Sequence, residues 1–371
     1  MLIFAFACAA AATPRGTCTS AITQQINDNA MIHFDCDYMA GAHPEVLKVI
    51  ADNNTIQTAG YGADDFCAAA KTLIREACGA PQADVHFMVG GTQTNATVLD
   101  GLLRRTEGVI AADTAHINVH ESGAIELSGH KVLALPSHDG RLCPDEVAQW
   151  LHNFYADDTW PHMVAPGAVY ISFPTELGTI YSLDELERLS AVCREYRVPL
   201  YVDGARLGYG LAASPDVTLR DVARLADVFY IGGTKMGALF GEAVVCTRPE
   251  LLPRFFTLMK AHGSVLAKGR LLGMQFGAFF RDGLYERIGR HGVALAQRLR
   301  RAFESRGHAT FIDSPTNQQF FVLPNTLIDR LMPVASFEYW GPRGAEESKV
   351  RFVTSWETTE ADIEALERLL M

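Results

Sequence analysis

A lysine set among glycines, in Ile231-Gly-Gly-Thr-Lys-Met-Gly237, directly follows an apolar run of the kind that forms a buried strand. Most lysines are solvated surface charges. One that loses its hydration has a depressed pKa and becomes a Schiff-base nucleophile, and flanking glycines leave space for a planar group. A second apolar run ends in an acid, in Val202-Asp-Gly-Ala-Arg206. A carboxylate there is costly to bury unless something positive meets it. Arg206 could be that partner in a purely structural pair. A protonated pyridine nitrogen fits equally, which leaves the arginine for a substrate or cofactor.

Two further clusters carry polar groups at strand ends. In Gly90-Gly-Thr-Gln-Thr-Asn95 a glycine pair lets the backbone approach an anion, and the free N–H groups of the following helix can hold a phosphate. A plain tight turn capped by Thr92 would need no ligand. In Asp113-Thr-Ala-His-Ile-Asn-Val-His-Glu-Ser-Gly123, His116 and His120 stand four residues apart beside Glu121. That spacing suggests a metal, but it lacks a third ligand and the His-Glu-x-x-His pattern, so no metal is expected. His116 reads better as a group that caps, or stacks on an aromatic ring. Together, a phosphate turn, an acid for a pyridinium nitrogen and a Schiff-base lysine are the parts that pyridoxal 5'-phosphate demands.

These groups need strands to position them. The candidates are Val85–Val89, Val109–Ala112, Val132–Leu135, Val169–Phe173, Pro199–Val202, Val228–Ile231 and Ala243–Cys246, alternating with helix-like stretches in the manner of a mostly parallel α/β sheet. Ser182 with Glu185 predicts a capped helix start, and Leu284 to Phe303 predicts a long amphipathic helix. With 371 residues, 48% of them hydrophobic, the chain can bury an ordinary core, and two or three structural units are expected. A net charge of −11 argues against nucleic acid as a partner. The eight cysteines form no Cys-x-x-Cys pair, which fits a reducing, cytoplasmic setting. The apolar run Leu2 to Ala12 is too short to span a bilayer and lacks a basic start, so residues 1–30 are read as a leader that is disordered or not native, with Met31 opening the folded part.

Gly60-Tyr-Gly62, Gly90-Gly-Thr-Gln-Thr-Asn95, Ala115-His116, Thr175-Glu-Leu-Gly-Thr179, Asp203-Gly-Ala-Arg206, Gly233-Thr-Lys-Met-Gly237 and Arg351-Phe-Val-Thr-Ser-Trp356 are each modest signals, but their order and spacing together are highly specific. From about residue 32 to the end it resembles the low-specificity L-threonine aldolases of the β-eliminating lyase group. The resemblance implies the PLP-dependent aspartate aminotransferase fold (fold type I), with a large, mostly parallel seven-stranded sheet domain over residues 31–280 and a small α+β C-terminal domain over 281–371. It also implies a homotetramer or dimer acting on an amino acid.

By the same resemblance Lys235 holds the cofactor as a Schiff base, Asp203 keeps its ring nitrogen protonated and His116 stacks on the ring and is the candidate base. Gly91, Thr92 and Gln93 bind the phosphate, with Thr234 beside the lysine. Arg206 and Arg351 grip the substrate carboxylate, and a neighbouring subunit contributes Tyr61 with Lys268 or Arg270. Many relatives carry a histidine where this chain has Glu176, so the contact to the substrate's β-hydroxyl, and with it the threo/erythro preference, turns on that residue. The implied reaction is retro-aldol cleavage of L-threonine, L-allo-threonine or a related L-β-hydroxy-α-amino acid to glycine and an aldehyde. The alternatives are a lyase of the same fold that expels a β-substituent, and a non-catalytic binder.

Overall fold

The computed structural model describes residues 31–371, and the expectation about the leader lies outside them. All seven strand candidates form strands of one sheet. After a short β1 (Ile32–His33) these are β2 (Asp84–Met88), β3 (Glu107–Ala112), β4 (Lys131–Leu135), β5 (Ala165–Ser172), β6 (Leu200–Asp203), β7 (Val228–Gly232) and β8 (Glu242–Cys246). They lie in the order β2-β8-β7-β6-β5-β3-β4. The neighbours from β7 to β4 pair in parallel, while β8 is antiparallel to both β2 and β7. Helices cover both faces, so the inner strands are unbroken buried runs, as in Val-Phe-Tyr-Ile-Gly and Glu-Ala-Val-Val-Cys.

The register fixes where chemistry can gather. Glu242 faces Met88 on one side and Gly232 on the other. The amino end of antiparallel β8 therefore lies at the same edge as the carboxyl ends of its neighbours, where open α/β sheets place their ligands. Local signals start the helices as expected. The Ser182 hydroxyl accepts from the Glu185 N–H at 3.2 Å while the Glu185 carboxylate accepts from the Ser182 N–H at 2.8 Å, opening the helix Leu183–Tyr196.

A second layer holds the antiparallel sheet β12 (Glu338–Tyr339), β13 (Glu347–Val353), β10 (Gln318–Pro324) and β9 (Thr310–Ile312), in that order, with β11 (Ala335–Ser336) pairing β1. The segment after Met31, expected with the large domain, packs here instead: β1 lies parallel to β11, and Phe34 is buried in the small core with Phe303, Phe321 and Phe352. The expected division at 280/281 also meets continuous packing. The helix Leu284–Glu304 buries Leu284, Tyr285 and Ile288 in the large core and Leu295, Leu299 and Phe303 in the small one. One rigid rod thus fixes one core against the other. No helix among the described residues is long and apolar enough to cross a membrane.

Candidate active site

The last residue of β6, Asp203, is 4% exposed and accepts from four neutral donors. Oδ2 accepts from the Tyr170 hydroxyl at 2.6 Å and the Asn95 amide at 2.9 Å; Oδ1 accepts from the Tyr230 hydroxyl at 2.5 Å and the Ala205 N–H at 3.0 Å. Burial first, and then the Asp203 charge, push both tyrosine pKa values far up, so the phenols stay hydrogen donors. None of the four is a cation. The carboxylate is oriented and solvated by dipoles while its charge stays available to a positive group brought by a ligand.

His116 opens a four-residue helix just beyond β3 and packs its ring 5.6 Å from that of His120. Its Nδ1 lies 2.8 Å from Oε1 of the wholly buried Glu121 side chain. A carboxylate only accepts, so Nδ1 is the donor, and in the neutral ring Nε2 is the acceptor. Its backbone N–H donates to Glu176 Oε1 at 3.0 Å, which also accepts from Ser172 Oγ at 2.7 Å. Burial raises the Glu176 pKa.

Lys235 follows β7 in a short 3-10 turn, with its ammonium 5.9 Å from the Tyr38 ring centroid. Its pKa is pushed down by desolvation and then by the Arg206 charge, against Asp37, Asp203 and Glu242. The backbone turns tightly here: Gly232 and Gly233 admit no Cβ, which would meet the Ala205 carbonyl oxygen at 2.3 Å and that of Gly241 at 2.6 Å. The Thr234 hydroxyl, expected beside the cofactor, donates to Glu242 Oε1 at 2.9 Å and accepts from the Gly241 N–H at 3.0 Å. Glu242 Oε2 accepts from the Gly233 N–H at 3.0 Å. The Glu242 carboxyl thus clamps the lysine turn, and burial drives its pKa up to about 8.

After β2 the helix Gly91–Leu102 begins without any side-chain cap, so Thr92 is not the capping group that a ligand-free turn would use. The first-turn N–H groups of Gly91, Thr92 and Gln93 have no intrahelical acceptor and can meet an anion. The Gln93 side chain is turned elsewhere, donating to the His262 carbonyl at 3.0 Å. What Gln93 offers a phosphate is therefore its backbone.

The arginines divide. Arg206 does not meet Asp203; its Nε and one Nη donate to the two oxygens of Asp37 at 2.7 and 3.0 Å. Burial would raise that carboxyl, but Arg206 and Lys235 hold its pKa below the ordinary value. Arg351 comes from β13 in the small layer, 8% exposed. Tyr61, Lys268 and Arg270 stand apart from the lysine cavity. Tyr61 is half exposed at a left-handed φ of 60° with the Lys260 ammonium 4.5 Å from its ring, and Arg270 is bound to the carbonyls of Asn54 and Ile56. A bulky residue in that conformation is strained.

Sequence reasoning passed over Tyr170, Tyr230, Asp37 and Glu242, and left Asn95 and Glu121 without roles. A signal existed for the tyrosines. Val-Tyr-Ile, Leu-Tyr-Val and Phe-Tyr-Ile put one hydroxyl each into three buried strands, and buried phenols require partners.

A cavity of about 340 Å³ collects Gly91, Thr92, His116, Asp203, Arg206 and Lys235 along one wall set. Its donor set fits pyridoxal phosphate: uncapped N–H groups for the phosphate, an amine of lowered pKa for the aldehyde, and a carboxylate with no protein cation on it for the ring nitrogen. Comparison with known proteins agrees. The low specificity L-threonine aldolase of Pseudomonas sp. (strain NCIMB 10558) is 29% identical over 340 residues, 90% of this chain and 95% of that protein. A solved threonine aldolase structure from Leishmania major is 42% identical with a TM-score of 0.87, covering 92% of this chain and 100% of its own. The aspartate aminotransferase of Thermus thermophilus shares the fold at 13% identity and a TM-score of 0.66, over 95% of this chain and 94% of its own. Residues 35–325 match the beta-eliminating lyase family, and the chain belongs to that family.

Proposed function

We propose that the chain is a pyridoxal-phosphate-dependent aldolase that cleaves L-threonine, L-allo-threonine or a related L-β-hydroxy-α-amino acid to glycine and an aldehyde. The observation that carries this reading is the meeting of Lys235, Asp203 and His116 around one cavity, in a chain similar to aldolases of that kind. When bound, the cofactor supplies a sink for the electron pair left at Cα.

The chain's residues do the rest. Lys235, its pKa already lowered, is the amine that would hold the cofactor's aldehyde. Asp203 holds a proton at the ring nitrogen. The N–H groups at Gly91, Thr92 and Gln93 anchor the phosphate, and Thr234 supports the lysine turn through Glu242. His116, with Nδ1 committed to Glu121, takes the β-hydroxyl proton at Nε2 as the Cα–Cβ bond breaks. Glu176, on the same cavity wall, meets the β-hydroxyl end of the substrate. Arg351 receives the α-carboxylate, and Arg206, held by Asp37, adds positive charge beside it. Protonation at Cα then yields glycine.

The working form is read as a homotetramer or dimer in the cytoplasm, with Tyr61 and Lys268 or Arg270 completing a neighbour's site. The half-exposed, strained Tyr61 and the six free cysteines among the described residues support this. Turnover of L-threonine in D2O tests the chemistry: acetaldehyde and glycine bearing one deuterium at Cα are expected in equal amounts. Release of 2-oxobutanoate and ammonium instead would overturn the reading.

A further inference from the structure

Arg206, which lines the cavity, and Arg351, which stands in the small layer outside its lining, each hold a carboxylate of the protein itself, and they hold them differently. Arg206 presents its Nε–Nη2 edge to Asp37, which fills both positions at 2.7 and 3.0 Å. Arg351 gives only Nη2 to Glu338, and its buried Nε has no partner. The same edge is closed in one and half open in the other. Glu338 lies directly opposite Arg351 in the β12–β13 register, on an edge strand of two residues. Its side chain is 42% exposed while that of Arg351 is 9% exposed.

The guanidinium does not depend on Glu338 for its place. Nη1 donates to Gln318 Oε1 at 2.9 Å, and the Trp340 ring centroid is 5.1 Å from Cζ. Burial and Arg206 both work against the Arg351 charge, with Glu338 and Asp37 supporting it. A buried cation needs an anion, and an exposed carboxylate on a short strand is one that can leave.

We propose that Glu338 occupies Arg351 in place of the substrate's α-carboxylate and is displaced by it, so that Glu338 sets the affinity of the site for amino acids. This rests on the reading of Arg351 given above. A substrate carboxylate can fill Nε and Nη2 together, whereas Glu338 fills one, and that difference favours the exchange.

The test compares wild-type holoenzyme with Glu338→Gln and Glu338→Ala. Glycine binding is followed by absorbance titration, KM and kcat are taken with L-threonine, and 1-amino-2-propanol, which lacks the carboxylate, is titrated as control. Removing the competitor should tighten glycine binding and lower KM about two- to fivefold, the scale of a half-exposed ion pair. The effect should fall on KM more than on kcat, and amino alcohol binding should not move. Weaker or unaltered glycine binding, or an equal change with the amino alcohol, would overturn the proposal, because Glu338 would then only support Arg351 or act on the whole site. Thermal unfolding of each variant separates a folding defect from these outcomes. Should the wild type release no acetaldehyde, the assigned activity fails while the glycine titration still decides the role of Glu338.

Discussion

His116 and Asp203 are joined through two side chains. His116 Nδ1 meets Glu121 Oε1 at 2.8 Å, and the Asn95 amide donates to that same oxygen at 2.8 Å and to Asp203 Oδ2 at 2.9 Å. The Tyr201 hydroxyl, donating to Asn95 Oδ1 at 2.8 Å, fixes the amide in the orientation that serves both carboxylates. The proposed base and the acid under the ring nitrogen therefore share one buried network, in which each partner's geometry depends on the others.

Asn95→Ala should break that network. Two buried carboxylates would then lose their common donor, at a cost of about 1–3 kcal/mol each. We expect kcat for L-threonine to fall on the order of tenfold to a hundredfold with bound cofactor retained. Steady-state kinetics at saturating substrate, with cofactor content measured in parallel, check this. Unaltered kcat would show that the network is only structural.

Lys235 should be the point of attachment. Borohydride treatment of the holoenzyme followed by peptide mapping should place the label on Lys235, and Lys235→Ala should bind the cofactor reversibly and turn over poorly. A label on any other lysine contradicts the assignment.

Glu242 has its pKa raised from 4.5 to about 8, so the folded chain keeps a proton there that the unfolded chain has lost. Stability from this group is therefore complete below about pH 4.5 and is lost as pH rises towards 8, on the order of a few kcal/mol. Urea unfolding of Glu242→Gln should show a flatter fall in stability between pH 5 and pH 8 than the wild type. A parallel fall in both proteins would mean that the carboxyl does not hold its proton in the fold.

The large sheet was legible because its strands are apolar runs bounded by glycine, and because the groups that end them are of types with few other uses. Lys235 and Asp203 were visible for that reason. Glu242 was not, because it stands at the amino end of a strand, and only the antiparallel course of β8 brings that end to the ligand edge. Asp37 was hidden differently. It lies near the start of the described chain, and its partner Arg206 is 169 positions away, so no local spacing could pair them. The same distance in sequence left Asp203, three positions away, as one of two open partners for Arg206. The packing of Phe34 into the small core was hidden by the same kind of long-range contact.

If Tyr61 serves a neighbour's site, inactive variants should complement each other. Tyr61→Ala mixed with Lys235→Ala, after dissociation and reassociation, should regain activity approaching one quarter of the wild-type level per site, since a site with both native residues can form only between unlike subunits. Sedimentation should show a dimer or larger in the same samples. No recovery from well-assembled mixtures would place Tyr61 outside the neighbour's site.

The cavity is expected to break a Cα–Cβ bond and not primarily to expel a β-substituent. The most direct measurement offers the holoenzyme L-allo-threonine and, separately, a β-substituted alanine such as β-chloroalanine, and compares kcat/KM for acetaldehyde release with that for pyruvate release. Acetaldehyde formation from L-allo-threonine should dominate, and it should be lost in Asp203→Ala. Pyruvate release as the faster reaction, with no acetaldehyde from L-allo-threonine, would contradict it.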